Sequence, residues 1–405
     1  MPKFKRATHH LLISFSPLLL LAFAACTAPP APPTLTATRA PSATTTPTGT
    51  PAPSATPSPT ARPTRRPTVT IAPTLQPSST LAVAFLNTIS SDNAFQVEQL
   101  SRILEDVGGI ALSPDRRFLA TARNDGFLQL WDISNPLSPI SSLLLTLPMR
   151  FQTGVTSATF HPNGQIIAVG TADNTVIEID LQTQKSIVHD WGLAVILSVA
   201  YSPDGKLLAA GGADGKIKVW ETYTNSLLFE VQAHGLWVSS LEFSPDENIL
   251  ASGSSSDGLI KIWDMKSSIP LLIFEGGDIF IYDITFSPTG DQVLSGGCKL
   301  QNSNDVCDGG ILTLWSIREN LPPFMLEGEG LSTIFSVAFS TDGSFFASGT
   351  DDGRIWLWNT ASKEILTVLG GHTARVVHLQ FSADGALLAS VGIDNAFRLW
   401  GLKVP

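Results

Sequence analysis

The sequence predicts an all-β fold: a seven-bladed β-propeller preceded by an export signal and a disordered Pro/Thr-rich linker. Three observations carry this. A stretch of about 20 residues recurs seven times, opening on an aromatic or leucine at Leu112, Phe160, Tyr201, Phe243, Phe286, Phe339 and Phe381. These openings are 48, 41, 42, 43, 53 and 42 residues apart, near the roughly 40–45-residue period of propeller blades. Each stretch closes on a tryptophan or its equivalent, at Trp131, Ile179, Trp220, Trp263, Trp315, Trp358 and Trp400.

In chain order, residues 1–25 come first as a signal peptide. Lys3, Lys5 and Arg6 supply a basic start, and Leu11 to Ala25 an apolar run that Pro17 interrupts. At 15 residues the run is short for a bilayer span and fits a signal core. It ends Phe23-Ala24-Ala25-Cys26. This resembles the lipobox of bacterial lipoproteins, in which small residues precede a cysteine that becomes N-terminal and lipidated. The resemblance implies lipidation at Cys26 and an extracytoplasmic protein held on a bacterial membrane at the cell envelope or surface. The alternative is an ordinary cleaved secretion signal with an incidental cysteine. Several acyl chains anchor durably where a single one binds only marginally.

Residues 26–80 form the linker. Between 27 and 80 there are 14 Pro and 16 Thr among 54 positions, with no acid. Such a segment lacks the apolar surface to offset its ordering entropy. Extended at about 3.1 Å per residue it reaches on the order of 100 Å or more, a stalk or a neutral spacer. The first 80 residues carry seven Lys or Arg, which leaves 18 basic against 35 acidic residues in 81–405, a net charge of −17. That balance argues against nucleic acid, whose binding rests on positive charge.

Residues 81–405 form the propeller. Ser202-Pro203-Asp204-Gly205 places Pro second and Gly fourth in a type I turn. Leu207 to Ala209 then lead to Gly211-Gly212, and a second turn at Asp214-Gly215 introduces Lys216-Ile217-Lys218-Val219-Trp220. Ile217 and Val219 share one face and the lysines the other, as in a half-buried strand. A further short apolar run, Leu227-Leu228-Phe229, ends the repeat. Four strands in each of seven repeats close a radial array that leaves only short edges.

These residues resemble the WD40 repeat, over roughly residues 95–405. The resemblance implies a hydrogen-bonded chain of His, Ser or Thr, turn Asp and closing Trp in each blade. Two repeats carry nearly full sets: His234, Ser252, Asp257, Trp263, and His372, Ser390, Asp394, Trp400. Repeat six has Gly330 in place of the His, and repeat two has Ile179 in place of the Trp and His161-Pro162-Asn163-Gly164 at its first turn. Those blades are expected to be weaker. The last repeat stops at Trp400, so the resemblance also implies that an N-terminal strand, about 94–104, completes the final blade.

Cys298 and Cys307 bracket a polar insertion in the longest repeat. In an exported protein they read as a disulfide-stapled loop. Metal is the rival, but no His or second Cys pair accompanies them; Asn302, Asn304, Asp305 and Asp308 offer oxygen for Ca²⁺ without the full calcium-loop pattern.

No catalytic constellation stands out. The sequence has no G-x-S-x-G elbow, metal-binding His pair or Walker loop, and the repeated Asp-Gly pairs read as turn residues. His161 sits in a turn, while His189 and His378 stand alone. The sequence calls for no cofactor, no metal and no oligomer, and reads as a monomeric, non-enzymatic module. In WD40-like propellers the channel entrance commonly contacts partners. Positions six and four residues before the first-turn aromatic hold Trp237, Arg375, Phe280, Tyr282 and Phe335, the residue types that dominate binding hot spots. Packing between inner strands is the competing role for Tyr282 and Phe335. The expected function is a lipid-anchored scaffold docking an envelope or extracellular protein or peptide. The alternative is a cell-surface propeller enzyme acting on glycan or peptide, which should gather carboxylates at the channel mouth.

Overall fold

The computed structural model describes residues 87–402 except 147–153, 247, 278, 301–306, 319–320 and 327–329. The signal, Cys26, the linker and the oxygen-bearing residues 302–305 therefore lie outside the described residues. The described chain forms seven four-stranded antiparallel sheets. After a 3-10 turn at Ala94–Gln96 comes β1 (Glu98–Leu104). Blade 1 is β2 (Val107–Leu112), β3 (Phe118–Arg123), β4 (Phe127–Asp132) and β5 (Ile140–Thr146). Blade 2 is β6 (Val155–Phe160), β7 (Ile166–Thr171), β8 (Thr175–Asp180) and β9 (Ser186–Asp190). Blade 3 is β10 (Ile196–Tyr201), β11 (Leu207–Gly212), β12 (Lys216–Glu221) and β13 (Ser226–Gln232). Blade 4 is β14 (Val238–Phe243), β15 (Ile249–Ser254), β16 (Leu259–Asp264) and β17 (Pro270–Glu275). Blade 5 is β18 (Ile279–Phe286), β19 (Gln292–Leu300), β20 (Cys307–Ser316) and β21 (Phe324–Leu326). Blade 6 is β22 (Ile334–Phe339), β23 (Phe345–Thr350), β24 (Ile355–Asn359) and β25 (Ile365–Leu369). Blade 7 has three strands of its own, β26 (Val376–Phe381), β27 (Leu387–Gly392) and β28 (Ala396–Gly401), and takes β1 as its fourth.

The turn chemistry explains the hairpins. In blade 3, Ser202 Oγ donates to Asp204 Oδ1 at 2.7 Å while accepting from the Leu207 amide at 2.9 Å, which locks the β10–β11 turn. Gly205 there has φ 72°, where a side chain is strained. At the β11–β12 turn, Gly215 has φ 78° and an added Cβ would lie 2.3 Å from the His234 carbonyl oxygen.

The core lies between neighbouring sheets. Ala200, Ala209, Ile217 and Val219 of blade 3 pack on Val238, Leu241, Phe243 and Leu250 of blade 4. Leu241 is 5% exposed, and cutting such a leucine to alanine costs roughly 2–5 kcal/mol. The inner strands touch in the order β2, β6, β10, β14, β18, β22, β26, and β26 returns to β2. That last junction is tied by the Leu112 amide donating to Gln380 Oε1 at 2.8 Å and by His378 Nε2 against the Ile110 carbonyl oxygen at 3.1 Å. β1 runs antiparallel to β28 from Glu98 opposite Gly401 to Leu104 opposite Ala396, with a bulge between Gln99 and Ser101.

Candidate functional site

Each full tetrad is a relay across its blade. Trp263 Nε1 donates to Ser252 Oγ at 2.9 Å, Ser252 Oγ meets His234 Nε2 at 2.8 Å, and His234 Nδ1 meets Asp257 Oδ2 at 3.1 Å. In blade 7 the same bonds join Trp400, Ser390, His372 and Asp394, each at 2.8 Å. Arg398, which is 1% exposed, lies against this second set. It donates to Asp394 Oδ2 at 2.9 Å, the Gly371 carbonyl at 2.7 Å and Gln99 Oε1 at 3.0 Å, so the tetrad also holds β1. Burial first, and then the Arg398 charge, push the His372 imidazole down to about 4. Burial pushes Asp394 up, but the hydrogen bonds from Arg398 and His372 outweigh it and hold that carboxyl at about 2.

The divergent blades fill the same space differently. In blade 1 Glu105 accepts from Thr121 Oγ1 at 2.7 Å, and Thr121 accepts from Trp131 Nε1 at 3.1 Å. In blade 3 Trp191 takes the histidine place and donates Nε1 to Asp214 Oδ2 at 3.2 Å. Blade 2, with Ile179 at the Trp place, instead buries Glu178 on the other face of its sheet, where it bridges His189 Nε2 at 2.9 Å and the Tyr201 hydroxyl at 2.6 Å. His189, solitary in the sequence, is thus half of a buried polar pair. In blade 6 Gly330 has φ 79°, and Trp356 stacks on Trp358 at 6.0 Å while Trp358 keeps its bond to Ser348 at 3.0 Å.

Blade 5 differs from its neighbours on the face that carries the loops into the inner strands. Its first three strands run 8, 9 and 10 residues against 5 or 6 in the first three strands of the other blades. A disulfide joins Cys298 and Cys307 across the tip of the β19–β20 hairpin. Phe280 on β18 sits opposite Cys298, at the base of this projection. From there an aromatic row crosses three blades. The Phe280 and Tyr282 rings are 6.4 Å apart, Tyr282 stacks on Phe335 at 4.6 Å, and the Arg375 guanidinium caps the Phe335 ring at 3.8 Å. All three rings are half-buried, as is Trp237, which enters β14 with φ 41°. Burial pushes the Tyr282 hydroxyl up to about 12.

Arg375 departs from its reading as an open docking cation. It is 6% exposed and its Nε donates to Asp351 Oδ1 at 2.6 Å. It braces Phe335 from blade 7 while its charge is answered by blade 6. The four residues Phe280, Tyr282, Phe335 and Arg375 form one continuous row.

Below that row the channel wall holds polar groups that the sequence reading passed over. In six of the seven inner strands (β2 has Gly109 there) one side chain reaches the next blade: Ser157 to the Val199 amide at 3.3 Å, Ser198 to Leu241 at 3.0 Å, Ser240 to Ile284 at 3.3 Å and Ser336 to Leu379 at 3.0 Å. In blade 5 this position is Asp283. It accepts from Ser240 Oγ at 2.7 Å, and from Ser336 Oγ and the Val337 amide at 2.9 Å. In blade 7 it is His378. Two residues further along β14, Glu242 accepts from the Phe286 amide at 2.5 Å. Burial pushes Glu242 up to about 8 and Asp283 in the same direction, although both retain some surface on the channel. The detectable signal was Asp283 standing at the offset held by Ser198, Ser240 and Ser336. Among the described residues, no group of three or more His, Cys, Asp or Glu is placed to hold a metal ion.

Seven radial sheets, two of them crossed by a full Trp–Ser–His–Asp relay, define a repeat propeller of the WD type. Six segments, 99–132, 142–180, 183–221, 225–264, 322–359 and 363–401, match the WD domain, G-beta repeat model, and the chain belongs to the WD40 repeat family. Strands β18 to β20 of blade 5, with the stapled hairpin, fall between matched segments, while β21 lies within the segment 322–359. Among curated proteins the chain is similar to zebrafish (Danio rerio) apoptotic protease-activating factor 1, 26% identical over 326 residues, covering 73% of this chain and 23% of that protein. It is also similar to human (Homo sapiens) echinoderm microtubule-associated protein-like 2, 26% identical over 306 residues, 73% of this chain and 42% of that protein. Mouse (Mus musculus) telomerase protein component 1 is 24% identical over 281 residues, 68% of this chain and 8% of that protein. The chain thus spans less than half the length of each of these relatives.

Proposed function

We propose that this WD40 propeller is a non-catalytic interaction scaffold, anchored through lipid at Cys26 outside the cytoplasm, that docks an envelope or extracellular protein or peptide. The observation that carries the reading is the row Phe280, Tyr282, Phe335 and Arg375 beside a stapled hairpin peculiar to one blade. Rigid aromatic surface with a supported edge suits a binding hot spot. The Cys298–Cys307 disulfide fits an oxidising compartment.

The test is a cross-linking pull-down from native membranes with the full-length chain as bait. The comparator carries Trp237→Ala and Phe280→Ala, its fold checked by an unchanged melting profile. A partner captured by the wild type and lost by the comparator supports docking at this mouth; a partner retained by both refutes that location. Separately, Cys26→Ser should release the protein from membranes, and continued membrane attachment would overturn lipid anchoring.

A further inference from the structure

Resting on the docking reading, the channel wall narrows the chemistry of the partner. Residues 81–405 carry a net charge of −17, and the arginines on this face are already engaged. Arg123 pairs with Asp125 at 2.6 Å and Glu105 at 3.2 Å, Arg354 with Asp352 at 2.8 Å, and Arg375 with Asp351 at 2.6 Å. Tyr282 is followed in the chain by Asp283, and Phe335 by Ser336, whose hydroxyl donates to that same Asp283. The stacked aromatic pair therefore stands one residue above a carboxylate and its hydroxyl ligand. Glu242 enters the same wall from blade 4 and bonds to the backbone of blade 5. Asp283 and Glu242 take their hydrogen bonds from amides and hydroxyls. The titratable group facing Asp283 is His378 of blade 7, which burial pushes toward its neutral form, and burial likewise favours the protonated form of both carboxyls, so an arriving cation would be what favours their ionisation.

We infer that the mouth receives a cationic side chain, a lysine or arginine of a basic peptide segment, with its aliphatic stem along the Phe280–Tyr282–Phe335 row and its charge facing Asp283 and Glu242. Aromatic faces attract ammonium and guanidinium groups, and Arg375 over Phe335 already shows the row accommodating one. A carboxylate shielded from water gains more from an arriving cation than one on the surface. A wholly apolar segment would give neither carboxyl an opposite charge to ionise against, and an acidic one would oppose their ionisation. The net negative charge of residues 81–405 would help draw such a segment in.

The test is a fluorescein-labelled positional-scanning library of nonapeptides, binding measured by anisotropy to the full-length chain in non-ionic detergent at 150 mM salt. Lys or Arg should be favoured over Ala and Glu by about tenfold or more at one position. Glu242→Gln and Asp283→Asn, each verified folded by thermal melt, should each reduce that preference severalfold. Equal binding of Lys and Glu peptides, or no binding by any member, overturns the assignment. So does a Lys preference that both variants leave intact, which would reflect only the surface field. The two readings fail separately: apolar or acidic peptides that bind and are lost with Phe280→Ala would keep the docking mouth and reject the cation. Peptides indifferent to Phe280→Ala would reject both.

Discussion

Replacing Glu242 by glutamine should make the propeller more stable, by an amount that depends on pH. The carboxyl sits on the channel wall at a raised pKa of about 8, against an ordinary 4.5, because burial disfavours its charge. A group raised in the folded state contributes stability that is fully present below about pH 4.5 and is lost as pH rises through 8. The shift corresponds to at most about 5 kcal/mol at about 1.4 kcal/mol per unit. Glu242 keeps some contact with channel water, so about 2–3 kcal/mol is the working figure. Asp283 and His378 face the same channel, but both titrate in wild type and variant alike and so cancel in the comparison to first order. Glutamine keeps an acceptor for the Phe286 amide and has no charge to bury. At pH 5 the two proteins should melt within a degree or so of each other. At pH 8.5 the variant should melt higher by about 3–5 °C, taking roughly 1.5 °C per kcal/mol for a domain of about 300 residues. Differential scanning fluorimetry across pH 5–9 measures this. A difference between the two that does not change with pH would refute the reasoning.

Three further outcomes follow from other parts of the molecule. Deleting residues 92–104 removes β1, unpairs β28 and strips Arg398 of Gln99, so the melting temperature should fall sharply; an unchanged melt would contradict β1 as a structural strand. His372 is depressed to about 4, so the stability it contributes is present above about pH 6.5 and lost as pH falls toward 4. His372→Gln should flatten that acid limb in a pH series of denaturant melts, and an equally steep limb would show that other groups produce it. Cys298 and Cys307 should be unreactive in a thiol assay of unreduced, denatured protein, and Cys298→Ser with Cys307→Ser should cost roughly 2–3 kcal/mol in the chain-entropy model. Two reactive thiols would refute the staple.

The blades were legible because every one repeats local turn chemistry that works without knowledge of its neighbours. Ser202, Asp204 and Gly205 form their bonds within six residues, and Trp263 finds Ser252 across one hairpin. The channel wall was less legible because each inner strand of blades 1 to 7 breaks register near its start, as between Ile281 and Asp283. That irregularity interrupts the alternation by which inward and outward positions are read. The burial of Arg375 also escaped sequence reasoning, since its partner Asp351 belongs to the adjacent blade. Likewise Glu105 and Trp191 occupy a histidine's surroundings with different chemistry, and Glu178 buries a pair with His189 on the other face of blade 2, which no motif describes.

The pairing of β1 with β28 gives the molecule a particular history of synthesis. Gln99 and Arg398 are hydrogen-bonded yet 299 residues apart. Blades 1 to 6 are each built from consecutive strands and can form their hairpins as the chain emerges, whereas β1 must wait until β28 has been made. Until then the apolar flanks of blade 1 and of the newest blade both face water, and closing so long a loop is slow. A nascent chain stalled at that stage exposes two sticky surfaces and an unpaired strand, the form most prone to pair with a neighbouring copy.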